Sequence, residues 1–120
     1  MKKNILVVDD SASVRQIVSM TLNANGYNTI LAEDGVDGLA KLKANSIDLI
    51  ISDVNMPNKD GIAFISEVKT MPEHAYTPVL MLTTESQDDM KEKGKAIGVK
   101  AWLVKPFRPD VIISALKKLL

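Results

Sequence analysis

Apolar and polar positions alternate along this chain in regular blocks. Five short apolar runs, Asn4–Val8, Asn28–Ala32, Ile47–Ser52, Thr77–Leu82 and Val99–Val104, read as strands. Segments with helical spacing lie between them. Val14, Ile17, Val18 and Thr21 form a first inward stripe, stopped at Asn25-Gly26, where Gly26 suits the left-handed residue just past a helix end. Asp34 is placed to cap a second helix, with Asp37 at its third position and Val36, Leu39 and Ala40 facing inward. Ile62, Ile65 and Val68 line a third, and Pro109 fits the first turn of the last. A fourth helix, over residues 86–97, has little inward stripe beyond Met90, Gly94 and Ile97. An interior glycine costs about 1 kcal/mol relative to alanine. This helix is expected to be weakly held, the kind of element from which moving parts are drawn.

Connections this short between strand and helix belong to βα units, whose strands pair in parallel. The near-continuous apolar character of Leu49–Ile51 and Val79–Leu82 suits central strands covered on both faces. The expectation is an α/β fold, a (βα)₅ open parallel sheet. It spans residues 1–120 as one domain with no separate effector domain, so any output passes through its own surface. Ligands of such sheets bind beyond the carboxyl ends of the strands.

Acids stand at those ends. Asp9 and Asp10 close the first run and Asp53 closes the third. Three neighbouring carboxylates resist ionising together unless a positive charge sits among them, and Mg²⁺, a hard cation that takes oxygen ligands, is the simplest answer. Asp53, on a central strand, is the best nucleophile candidate. A carboxylate attacking a phosphoryl group forms an acyl phosphate. Lys105, after the fifth run, has the charge and reach to hold a phosphoryl oxygen; Thr83 offers a hydroxyl and Thr84 a backbone N–H. Singly, an aspartate at a strand end is usually a cap, a lysine a surface charge and a threonine a local hydrogen-bonding residue. Their coincidence at matching strand ends favours a site.

Composition narrows the class. The absence of cysteine excludes thiol chemistry and disulfides. No signal peptide or membrane-spanning stretch is present, so a cytoplasmic location with no membrane insertion is expected. Net charge is zero but uneven: residues 1–90 hold 13 acids and 7 bases, residues 91–120 hold 2 acids and 8 bases. The basic third either solvates helix faces or offers a docking face to an acidic partner. With few arginines and no binding motif, no nucleic acid partner is expected. Neutral overall charge and the lack of an exposed apolar stripe favour a monomer. His74, the only histidine, is expected in an exposed loop rather than in phosphotransfer.

The runs ILVVDD (residues 5–10), SDVNMPNKDG (52–61), LTTE (82–85) and VKPF (104–107) occur in an order and spacing that resembles response-regulator receiver domains, in particular the stand-alone receivers of chemotaxis. The resemblance covers essentially the whole chain. It implies a flavodoxin-like sheet of order 2-1-3-4-5 and a two-component switch that takes phosphate on Asp53 from a phosphohistidine kinase of the chemotaxis type. It implies Mg²⁺ held by Asp10, Asp53 and the Asn55 main-chain carbonyl, with Asp9 acting largely through a metal-bound water. Self-catalysed phosphorylation and dephosphorylation would then be the only enzymatic activity. Thr83 would turn toward the phosphoryl group and Trp102 would swing inward behind it. Trp102 is larger than the tyrosine of chemotaxis regulators, so its inward pocket is either roomier or less populated. Asn55 and Glu85 match regulators in which water reaches the phosphorus; Thr84 is bulkier than the usual alanine and would narrow access. Asn55 and Thr84 would contact the phosphate. The Lys105–Pro106 bond is typically cis in the family. Implied partners are the kinase, a flagellar motor switch protein or another phospho-dependent binder, and a phosphatase; the alternative output is a phosphate shuttle or sink in a phosphorelay. Other classes fit less well: a flavin carrier wants a phosphate-cradling loop where two acids stand, an aspartyl phosphatase wants a cap, and a structural adaptor leaves the acids unexplained.

Overall fold

A computed structural model of the chain describes residues 2–83, 88–105 and 108–120, with the side chains of residues 88–91 outside that description. Five strands, β1 (Asn4–Val8), β2 (Asn28–Ala32), β3 (Leu49–Asp53), β4 (Val79–Thr83) and β5 (Ala101–Val104), alternate with five helices. The helices are α1 (Ala12–Ala24), α2 (Gly35–Ala44), α3 (Gly61–Val68), α4 (Asp88–Ala96) and α5 (Pro109–Leu119). All strand pairs are parallel, in the order β2-β1-β3-β4-β5. The expected sheet and its order are both present. β1 and β2 match the sequence boundaries, whereas β3, β4 and β5 enter the ladder two residues later than the apolar runs begin.

Strand alternation divides the core into two layers. Leu6, Val8, Ile50, Val79 and Met81 face α2 and α3, with Phe64, Ile65 and Val68 packed on them. Ile5, Val7, Leu49, Ile51, Leu80 and Leu82 face α1 and α5, meeting Val18, Leu22, Ile112 and Leu116. β3 and β4 are buried along their whole length, as their unbroken apolar character requires.

Helix ends follow local chemistry. Ser11, Asp34 and Asp60 cap α1, α2 and α3 by accepting the amides of Val14, Asp37 and Ala63. Gly26 sits at φ +88°, as expected past α1, and Pro109 opens α5.

Three expectations are corrected. Ile17, assigned inward, is 51% exposed, and the buried stripe of α1 runs through Val18 and Leu22. Val36 (54% exposed) and Ala40 face outward on α2, whose inner face is Gly35, Gly38 and Leu42. The close approach explains this: a Cβ at Gly38 would lie 2.9 Å from the Phe64 ring, so no larger side chain fits there. His74 is not exposed. It closes a short 3₁₀ turn (Pro72–His74), is 9% exposed, and its Nδ1 lies 3.0 Å from the Thr77 hydroxyl. Among the described residues no helix is long and apolar enough to cross a membrane.

Candidate functional site

The site assembles at the carboxyl edge of the sheet, where chain order reverses between β1 and β3. Val8 pairs with Ser52, so Asp9 and Asp53 emerge side by side. Asp53 pairs with Leu82, and Leu82 with Leu103, in the same row; Lys105 follows two residues later on the same side. Alternation therefore directs Asp9, Asp53 and Lys105 toward the α1/α5 side.

The Lys105 ammonium bridges the two acids. Its Nζ donates to Asp9 Oδ2 at 2.7 Å and lies 3.4 Å from Asp53 Oδ2. The other oxygen of each acid is held by main chain: Asp9 Oδ1 accepts from the Ser11 amide (2.9 Å), and Asp53 Oδ1 from the Val54 amide (2.8 Å). Arg15 Nη1 donates to the Asp9 carbonyl oxygen at 2.6 Å, tying the start of α1 to the end of β1. Asp9 and Asp53 are almost wholly buried (1% and 7% exposed), while Asp10 is exposed. Burial pushes the Asp53 carboxyl above the ordinary carboxylate range, and the charge of Asp9 adds to the rise. Lys105 and the Val54 amide pull it back.

Each of Asp9, Asp10 and Asp53 offers a carboxylate oxygen within 4.8 Å of the others. This all-oxygen set suits a hard divalent cation such as Mg²⁺, and neither thiolate nor imidazole belongs to it. The residues present fit such an ion.

Thr83 ends β4 and is buried. Asn55 lies two residues beyond Asp53 and is exposed. Trp102 pairs with Met81, and Thr83 follows Met81 by two, so Thr83 and Trp102 share the opposite, α2/α3-facing side of the sheet. Thr84, Glu85, Pro106 and Phe107 lie outside the described residues, and so do the expectations placed on them.

Two further supports lie in the loop after β3. Gly61 opens α3 directly against the site strand: the Asp53 carbonyl oxygen occupies the place that a Cβ there would need. Asn58, at φ +68°, donates its side-chain amide to Asp34 Oδ2 (2.8 Å), clipping the loop after β3 to the cap of α2. That amide and the Asp37 N–H hold the Asp34 carboxyl below its usual range, the Asp37 bond contributing most. The run Asn58-Lys59-Asp60-Gly61 carried this loop's signature without revealing its partners.

Residues 5–117 match the family model described as the response regulator receiver domain. The chain belongs to this family. As a receiver it is a phospho-acceptor of the two-component and chemotaxis type, and its acidic cluster is consistent with a metal-dependent acceptor site. The receiver is 36% identical over 118 residues to chemotaxis protein CheY1 of Helicobacter pylori, covering 97% of this chain and 95% of that protein. It is 34% identical over 120 residues to the alkaline phosphatase synthesis transcriptional regulatory protein PhoP of Bacillus subtilis, spanning all of this chain but only 49% of PhoP. The crystal structure of Vibrio cholerae chemotaxis protein CheY4 at pH 4.0 superposes with a TM-score of 0.96 at 45% identity, covering 100% of both chains.

Proposed function

We propose that Asp53 is the phosphoryl acceptor of a binary signalling switch, taking phosphate from a phosphohistidine on a partner kinase and then presenting a changed surface to an output protein. The observation that carries this reading is the Lys105 ammonium shared between the buried carboxylates of Asp9 and Asp53.

An Asp53 oxygen attacks phosphorus, the P–N bond to the donor imidazole breaks, and the imidazole leaves with the bond's electron pair and takes up a proton. The step crowds anionic oxygens into a low-dielectric pocket. Lys105, freed from Asp53 once that carboxylate is esterified, turns its charge to the phosphoryl oxygens. Thr83 Oγ1 and the Thr84 N–H supply further donors, with Asn55 beside them. Asp10, Asp53 and the Asn55 carbonyl would hold an Mg²⁺, with Asp9 reaching it through water, and the ion would supply the remaining neutralisation. Asn55 and Glu85 govern water access, and Thr84 narrows it; together they set the lifetime of the acyl phosphate.

Output runs through Thr83 and Trp102 to the face built by α4, β5 and α5. Lys93, Lys95 and Lys100 are exposed there, as are Lys117 and Lys118 at the end of α5, which suits an acidic docking segment. The similarity to chemotaxis proteins favours a motor switch component as the output partner and a chemotaxis-type histidine kinase as donor.

Intact-mass analysis after treatment with a small phosphodonor tests the chemistry. One phosphoryl adduct is expected with Mg²⁺, none after chelation and none in Asp53→Asn. An adduct that persists in Asp53→Asn would move the acceptor elsewhere. Phosphoprotein that binds histidine phosphotransfer domains but no motor component would make the chain a shuttle or sink.

A further inference from the structure

Glycine is among the poorest helix formers, yet Gly94 sits in the last turn of α4. Its surroundings give the reason. Gly94 is buried, and a Cβ there would lie 2.7 Å from Trp102 Cζ3 and 3.2 Å from Cε3. The benzenoid edge of the indole occupies the notch that the missing side chain leaves.

Trp102 Nε1 is buried and has no hydrogen-bond partner among the described residues. The indole is partly buried against the core layer that includes Met81 and Phe64, and beside it a cavity of about 120 Å³ is lined by Lys95, Val99, Lys100, Ala101 and Trp102. An unmade hydrogen bond in a buried site is a cost that outward rotation into water removes. Shape-matching at Gly94 opposes that rotation.

We propose that Gly94 is a positioning residue: by lacking a side chain it seats Trp102 against α4, so that the fit between residues 94 and 102 sets the position of the indole at the output face. The seat is a matter of volume and stands on geometry alone; its signalling consequence rests on the function proposed above. Gly94→Ala acts on the far end of a rotatable side chain, so the ring moves while the fold persists.

Trp102 is the only tryptophan, so its emission reports the seat directly. Without metal or phosphodonor, Gly94→Ala is expected to shift the emission to the red and raise acrylamide quenching about twofold, as befits an indole brought to water. Thermal unfolding of Gly94→Ala in the Trp102 and Trp102→Tyr backgrounds gives a second readout. Alanine should raise Tm beside the smaller ring and lower it, or leave it unchanged, beside the indole, a non-additivity expected only of residues in contact. If Gly94→Ala alone does not fold but the double variant does, the same coupling is established. Unchanged emission and quenching in a folded Gly94→Ala protein would overturn the proposal, whatever its Tm. None of these measurements uses phosphate, so they remain decisive even if Asp53 accepts none.

Discussion

Asp53 carries a cost that its neighbours only partly offset. Its carboxyl is raised above 3.8, first by burial and then by Asp9. Between that ordinary value and the raised one, the folded state binds more protons than the unfolded state, so stability falls as pH rises through the window. Ionised Asp53 therefore destabilises the fold near neutral pH. Asp53→Asn keeps an acceptor for the Val54 amide and sheds the charge; it should be more stable by about 1 kcal/mol, a common trade of activity for stability. Chemical denaturation of both proteins at neutral pH measures this, and the difference should shrink in acid. Lys105→Met has the opposite effect. It strands two buried carboxylates and should cost about 3 kcal/mol, with a larger loss at about pH 8 than at about pH 5, where Asp53 more readily takes a proton. These acids and their lysine were legible in the sequence because apolar runs end at them. His74 was not: a lone polar residue among Pro, Glu and Ala looks solvated, and only the 3₁₀ turn that folds it onto Thr77 reveals otherwise.

Among the elements, the loop from β3 to α3 is tightly constrained. Gly61 donates its amide to the Val54 carbonyl at 2.7 Å, and the Asp53 carbonyl fills the space where a Cβ would go. Backbone cannot yield as a side-chain tip can, so Gly61→Ala should destabilise by about 3 kcal/mol or more. Asp60→Ala, which removes only the α3 cap, should cost about 1 kcal/mol. Urea unfolding would separate the two. Hydropathy could suggest that Gly61 relieves crowding but could not name the atom. The same limit explains the helix faces. Apolar spacing identified α1 and α2 correctly, yet their rotation is set by where small residues permit close approach, and Gly35 and Gly38 decide this for α2. Strand starts were read early for a related reason. Ile47 is buried and Pro78 partly so, but burial is not ladder pairing, and proline has no N–H to donate.

At the scale of the whole molecule, the sheet sorts the expected site residues by face. Asp9, Asp53 and Lys105 fall on one side by alternation, Thr83 and Trp102 on the other. The architecture was readable because five apolar runs with short connections leave few parallel topologies. The order 2-1-3-4-5 came from resemblance, not from periodicity. A cation bound across Asp9, Asp10 and Asp53 joins two strand ends, so it should stabilise the whole domain. At a concentration 100-fold above its Kd, a ligand adds about 2.7 kcal/mol. Calorimetry should show Tm rising with Mg²⁺, and the rise should vanish in Asp10→Asn, whose exposed position leaves the metal-free Tm nearly unchanged.

Lys105 and Asp9 are 96 residues apart in sequence, yet they form the shortest ion pair of the pocket. The carboxylates thus meet their cation only after the last strand has docked, whatever the rest of the sheet has achieved. A half-folded or still-emerging chain carries every acid of the site without the cation that bridges them. The pocket is completed last, as a certificate that folding has run its course.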